Sequence, residues 1–423
     1  MIKRLLNKSD FLKNVATLIT GTVLAQLIPI LLQPILSRIY DAAEYGTFTI
    51  YISIIGMLAA AGNLKFEGAV VLPDSDTKGS ALVIGGIIIS FFFSALWFII
   101  FLLFGEQIIE IFHFSSSIKI WLLIIPFAIF VISSSRVLNY WLIRQKAFKA
   151  SSVNKLARRA SEGTSQFAIL KFSNQQGLII GNIIGETINF FISLKQSFNK
   201  NLSFKGITYS EVKEQLNRYK DFPLYSFLPS LMNSISLFLP AIVINHFYAI
   251  ETTGQFGFSR QILSIPIALI SLSLSQVLIQ KIAESSRNKN KILPLIFKIT
   301  SVLTGLAIIG ILIIEFFGIE IFTWVFGIEW KTAGQLTQIL IFSYAIKFIV
   351  SPLTSVFTAL EKIKISSIWQ IGYFLAIGCL YLLKNCTIEE FLLYYVLIDL
   401  ISYFIYYLLL VGVCKKYDNK ILR

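Results

Sequence analysis

Residues 155 to 166 read KLARRASEGTSQ, which places Lys155, Arg158, Arg159, Glu162 and Gln166 at i, i+3, i+4, i+7 and i+11. On a helix those positions share one face. Two adjacent guanidiniums on such a face suit one kind of chemistry above others. The planar fork of arginine makes paired, charge-assisted hydrogen bonds to phosphate and stays protonated at any physiological pH. Glu162 lies one turn from both arginines and can orient them. Elsewhere the chain is poor in catalytic signatures. His113 and His246 stand alone, and Cys379, Cys386 and Cys414 show no paired spacing, so neither a metal site nor a disulfide framework is expected. No G-x-x-x-x-G-K-[ST] phosphate loop is present, which excludes built-in ATP hydrolysis of that type. No cofactor and no enzymatic activity are expected.

The stripe is unusual because of its surroundings. Of 423 residues 56% are hydrophobic and 14% charged, and the mean hydropathy is +0.74. That is too much apolar surface for a soluble core, and it points to a bilayer. A spanning helix needs roughly 20 mostly apolar residues. Segments of that kind are expected at 14–37, 47–66, 79–104, 118–143, 153–170, 177–195, 223–246, 257–280, 293–315, 333–360, 366–383 and 389–413. The first is too long for a signal-peptide core and is read as retained.

The fifth segment contains the cationic stripe and is weak by hydropathy. Loop charges decide in its favour. With twelve spans and an internal N-terminus, the exterior loops hold only Arg38, Lys119, Lys171, Lys331 and Lys384, while the remaining loop cations face the cytoplasm. Removing the fifth span would send the cations of every later cytoplasmic loop outside, against the positive-inside bias. The formal charge of +14 therefore describes topology, and no nucleic-acid partner is expected.

YDAAEYGTF at 40–48 and YAIETTGQF at 248–256 share Tyr-x5-Gly-x-Phe, with Gly46 and Gly254 separated by 208 residues. The phrases follow the first and seventh spans, so each is expected in the first outer loop of a six-helix half. Six is even, which makes the halves parallel repeats. The fold class expected is an all-α integral membrane protein with about 12 transmembrane helices in two parallel six-helix lobes around a central cavity. The organisation is residues 1–195 as the N-terminal lobe, 196–222 as a cytoplasmic linker and 223–423 as the C-terminal lobe.

Seven cations fall inside spans: Lys65, Arg136, Arg158, Arg159, Arg260, Lys298 and Lys347. At about 2.5–3.5 kcal/mol each at a helix centre, exposure of all seven to lipid would cost on the order of 20 kcal/mol. Lys65 and Lys298 are near enough to the ends to snorkel. The acids Glu162, Glu186 and Asp399 are candidates for charge pairing or ion coupling, and Asp399 and Lys347 both come from mid-span positions that allow them to pair. Gly181-x-x-x-Gly185 allows close helix approach.

SRIYDAAEYGTFTIYISIIGMLAAAGNLKFEGAVVLPDS near the N-terminus, YKDFPLYSFLPSLMNSISLFLPAIVINHFY at 219–248 and FGIEWKTAGQL at 326–336 resemble bacterial polysaccharide-unit flippases of the O-antigen type. These belong to the multidrug/oligosaccharidyl-lipid/polysaccharide exporter superfamily, and the resemblance covers essentially the whole chain. It implies a multi-pass protein of the cell (inner) membrane with both termini cytoplasmic. Its implied work is to move an undecaprenyl-diphosphate-linked oligosaccharide to the outer leaflet by alternating access, during surface polysaccharide or lipopolysaccharide synthesis. Membrane lipids and other polysaccharide assembly proteins are the further partners expected. On that analogy Arg136, Arg158, Arg159, Arg260, Lys347 and Arg38 are the candidate substrate-binding cations. The alternatives are a drug/cation antiporter of the same superfamily or another 6+6 secondary transporter, then a membrane polymerase or ligase. The last would need a larger outer loop than 315–332.

Overall fold

The computed structural model describes residues 20–114, 118–169, 176–287 and 290–421. Among them the chain is helical, without strands. In order the α-helices are α1 (Thr20–Leu36), α2 (Ala42–Ala59), α3 (Asp76–Ile111), α4 (Lys119–Arg144), α5 (Phe148–Ala168), α6 (Gly177–Phe198), α7 (Tyr209–Arg218), α8 (Leu228–Phe247), α9 (Ile250–Arg287), α10 (Leu293–Ile321), α11 (Lys331–Val350), α12 (Ser355–Ala359), α13 (Ile363–Gly378) and α14 (Ile388–Ile421). Nine segments among the described residues are long and apolar enough to cross a membrane. They contain α2, α3, α4, α6, α8, α10, α11, α13 and α14. α1 is short in its described part, and α5 is too polar by composition.

Two compact units divide the chain: residues 1–40 with 47–238, and residues 41–46 with 239–423. In the first, α5 lies along α6 because α6 offers glycine where the two helices meet. A Cβ at Gly181 would stand 2.3 Å from Gln166 Cγ, and one at Gly185 would stand 2.9 Å from the Arg158 carbonyl oxygen. Gly163, on α5, similarly admits Leu32 of α1. The hydroxyl of Tyr40 donates to the Gln166 carbonyl at 2.6 Å, and the Gln166 amide donates to the Leu178 carbonyl at 3.2 Å. The segment between residues 59 and 72 leaves the α-helical path. Leu64 and Lys65 adopt left-handed backbone, and Asn63 holds the turn by donating to the Ser133 carbonyl at 3.2 Å.

Helix boundaries depart from expectation where capping groups intervene. α2 begins at Ala42, five residues before the expected 47, because Asp41 and Glu44 each accept the other's backbone N–H, at 2.8 and 2.9 Å. The repeated phrases are consequently helix starts: most of YDAAEYGTF lies in α2 and most of YAIETTGQF in α9, which corrects their assignment to loops. α7, in the stretch expected as a polar linker, is started by a capping box between Thr208 and Glu211. The Thr208 amide and hydroxyl hold the Glu211 carboxyl below the usual carboxylate range.

In the second unit, the two repeated glycines face one another's helices. A Cβ at Gly254 would stand 1.8 Å from the Ala42 carbonyl oxygen, and one at Gly46 would stand 2.1 Å from the Ile250 carbonyl oxygen. Ala42 and Ile250 are also 208 residues apart, so the two contacts are equivalent under the sequence repeat. Beside them Trp330 stacks on Phe258 at 4.0 Å, with Tyr45 edge-on to Trp330 at 4.9 Å. Gln255 secures the start of α11, accepting from the Ala333 amide at 2.9 Å and donating to the Glu329 carbonyl at 2.8 Å. Asp418 of α14 accepts the amides of Ile292 and Leu293 at the start of α10, at 2.9 and 3.1 Å.

The glycine contacts are to backbone, which cannot rotate away. Gly254→Ala is expected to lower stability by roughly 1–3 kcal/mol through overpacking. Gly372→Ala, where nothing lies within 4 Å, is expected to be neutral or stabilising. Thermal unfolding of the two variants in detergent checks the contrast.

Candidate functional site

Three helices of the first unit each turn one polar stripe toward a common cavity of about 340 Å³. α5 contributes Ser151, Asn154, Lys155 and Arg158, at i, i+3, i+4 and i+7. α6 contributes Asn182, Glu186, Asn189 and Ser193, at i, i+4, i+7 and i+11. α4 adds Ser135, Arg136, Asn139 and Tyr140. The remaining wall is apolar, formed by Ile52, Ile55, Gly56 and Ala59 of α2, with Ile132 and Phe238. A volume of this size is typical of a small-molecule or headgroup site.

The charges are held in place by short contacts within α5 and to the neighbouring helices. Arg158 Nη2 is 2.6 Å from Glu186 Oε1. Arg159 Nη1 is 2.9 Å from Glu162 Oε2, and Asn182 donates to the other Glu162 oxygen at 2.7 Å. Arg136 donates to the Ala59 carbonyl at 2.8 Å, at the end of α2, and Lys155 donates to Thr22 Oγ1 of α1 at 3.0 Å. Glu162 and Glu186 are nearly fully buried, whereas Arg158 and Arg159 keep about a third of their side chains accessible. The acids thus serve as fixed anchors and the guanidiniums as the wetted face.

Hydrogen-bonding capacity remains unspent on this wall. Arg158 Nε, Ser135 Oγ and the side-chain oxygens of Asn154 and Asn182 are buried without a hydrogen-bond partner among the described residues. Lys155, Arg158 and Arg136 outnumber Glu186, so the lining is net cationic. Such a surface can bind an anion and, through its amides and hydroxyls, a polyhydroxylated group beside it.

The structure brings together Arg136, Arg158 and Glu186 among the residues singled out from sequence, and places Arg159 and Glu162 on the adjoining surface of α5. Arg38 lies exposed at the end of α1, donating to the Pro34 carbonyl at 2.7 Å. Arg260 is on α9 in the second unit, within electrostatic range of Tyr344 and Tyr395.

Lys347 and Asp399 form an ion pair in the second unit. The Asp399 carboxylate also accepts hydrogen bonds from Ser343 and, at 2.7 Å, from Tyr373. The Lys347 ammonium donates to Tyr395 at 3.1 Å and lies 5.1 Å from that ring's centroid. Both residues are buried. Asn182, Asn189 and Ser193 of α6 were missed as lining residues, although their spacing within GLIIGNIIGETINFFIS was legible as one helical face.

The profile of the polysaccharide biosynthesis protein family matches residues 11–279. No curated protein matches the chain. Among solved structures, a multidrug resistance MATE family transporter of the MOP superfamily, in an inward-facing conformation, is similar with a TM-score of 0.74 at 13% identity, over 95% of each chain. The lipid II flippase MurJ in an inward closed conformation gives a TM-score of 0.72 at 16% identity, covering 97% of this chain and 90% of that one. A MOP superfamily transporter from Pyrococcus furiosus, described as having a binding pocket of reverse polarity, gives 0.62 at 12%, over 97% and 96%. At these identities the likeness is one of fold, that of multi-pass membrane proteins.

The closed Lys347–Asp399 network predicts a measurable coupling. Lys347→Met or Asp399→Leu alone strands a buried charge and is expected to cost about 3–5 kcal/mol, while the double variant recovers most of that loss. Thermal unfolding in detergent of the three variants provides the cycle.

Proposed function

The chain belongs to the polysaccharide biosynthesis protein family, and from that premise we propose that it translocates an undecaprenyl-diphosphate-linked oligosaccharide from the cytoplasmic to the outer leaflet of the cell membrane. The observation carrying this reading is the cationic, amide-lined cavity between α4, α5 and α6. In the proposed mechanism Arg158 and Arg136 hold the diphosphate, Lys155 adds charge, and the asparagines meet the hydroxyls of the first sugar. The lipid tail stays in the bilayer, where transfer of its many CH₂ groups to water would be costly.

The reading includes twelve spanning helices in two parallel lobes that alternate between inward-open and outward-open states, with both termini cytoplasmic. α1, α5 and α9 complete the nine apolar spans to twelve. α5 is tolerated because its charges face protein partners and the cavity. Arg159, Arg260 and Arg38 are proposed as secondary cations along the route. Lys347, already engaged by Asp399, is proposed to brace α11 against α14, with Asp399 its structural partner. The enzymes that build the lipid-linked unit and those that polymerise it are the partners this role implies.

The likeness to a multidrug MATE transporter supplies a second reading, export of a cationic compound. The cavity disfavours it, because its one lining acid, Glu186, is already paired with Arg158.

The test is translocation of a fluorescent undecaprenyl-diphosphate oligosaccharide by the full chain in proteoliposomes. Replacing Arg136 and Arg158 together by Gln removes two charge-assisted contacts, each typically 1.5–3 kcal/mol, and is expected to slow translocation by more than about tenfold. Lys331→Gln is expected to leave it unchanged. Undiminished translocation by the double variant, at equal reconstituted amounts, would remove these arginines from the mechanism.

A further inference from the structure

Arg158 and Glu186 meet at the cavity wall, and the pairing constrains what happens when an anion arrives. Glu186 is 5% exposed, and among the described residues its ion pair is with Arg158. A buried carboxylate deprived of its counter-charge is more readily neutralised than left ionised. The charged and titratable groups facing Glu186 are Arg158, Arg159 and Glu162 from α5, Arg136 from α4 and Tyr51 from α2.

These neighbours do not substitute for Arg158. Arg159 is engaged by Glu162, and Arg136, whose Nη1 donates to the Ala59 carbonyl, makes no ion pair with Glu186 among the described residues. Glu162 is itself an anion, held by Arg159 and Asn182, and it opposes a second uncompensated carboxylate nearby. Arg158, which lines the cavity, meanwhile has an Nε without a hydrogen-bond partner among the described residues. An anion seeking a bidentate grip on this guanidinium competes with the acid that already holds Nη2.

We propose that an anionic diphosphate diester displaces Glu186 from Arg158 and that Glu186 takes up a proton as it is displaced. The inference rests on the reading of this cavity as the site of a phosphate-bearing substrate, and adds a proton to that binding event. The Arg158–Glu186 ion pair opens, two phosphate oxygens take its place, and one proton passes from the buffer acid in solution to the Glu186 carboxylate. No bond between heavy atoms changes. Three lining cations, Arg136, Lys155 and Arg158, then face the two phosphate charges with a neutral acid beside them.

Because the complex holds one more proton than its parts, affinity must fall as pH rises from the range in which Glu186 ionises in the free protein to that in which it ionises in the complex. Between them the limiting slope is about tenfold per pH unit for one proton.

The experiment is calorimetric titration of the purified full-length protein with P1,P2-dibutyl diphosphate, whose two charges do not titrate near neutrality. Measurements in two buffers of different ionisation enthalpy, from about pH 5 to about pH 8, count the protons exchanged. The expected result is uptake approaching one proton per bound diester, with affinity falling as pH rises. Glu186→Gln is expected to bind with no uptake and a flat pH profile, and Glu106→Gln, an exposed acid far along α3, to retain the uptake. Diester binding without proton exchange in the unaltered protein overturns the linkage, as does undiminished uptake by Glu186→Gln. Failure of the diester to bind at any pH overturns the anion-binding reading of the cavity and the linkage with it.

Discussion

A guanidinium in a largely apolar, membrane-spanning unit must find either a counter-charge or water, and the N-terminal unit is organised around that requirement. α5 brings three cations into one helix face, with Glu162 and Gln166 on the same stripe. Their cost in hydrocarbon would be several kcal/mol per charge. α6 meets the requirement by approaching closely enough for Glu186 to reach Arg158 and for Asn182 to reach Glu162. Gly181 and Gly185 permit that approach. The cavity is what remains on the side where α4 also turns polar groups inward.

The second unit meets the same requirement differently. Lys347 and Asp399 satisfy each other, and Ser343, Tyr373 and Tyr395 complete their hydrogen bonds. Both charges of that pair are buried. In the first unit the acids are buried while both guanidiniums retain accessible surface, and Arg158 keeps a buried Nε with no partner among the described residues. The contrast gives a physical reason for proposing recognition at Arg158 and bracing at Lys347, two mid-helix cations that look alike in sequence.

Much of this arrangement was legible in the sequence because charge is expensive in an apolar setting. The stripe from Lys155 to Gln166 could be read as one face, and loop charges argued for a helix that hydropathy alone would omit. The mid-span positions of Lys347 and Asp399 allowed their pairing. Partner choice was less accessible. Spacing along α5 favours Glu162 for both arginines, yet Arg158 turns to Glu186 on the next helix, a choice set by tertiary packing. The starts of α2 and α7 are marked by the capping pairs Asp41/Glu44 and Thr208/Glu211 and not by hydropathy. The repeated glycines mark the duplication in sequence, and their role of bringing backbone against backbone belongs to the tertiary structure.

The central claim is that the polar face shared by α4, α5 and α6 is wet and accepts an anion. It is tested most directly on α6, where Asn189 lines the cavity and Phe191, two residues on, is 61% exposed on the apolar surface. Single cysteines at these positions, in a chain whose own three cysteines are replaced by alanine, would be treated in membranes with a charged thiol reagent. The account predicts rapid modification of Asn189→Cys, slowed by P1,P2-dibutyl diphosphate, and little modification of Phe191→Cys. Equal, slow modification of both positions, or no protection by the diester, would contradict it.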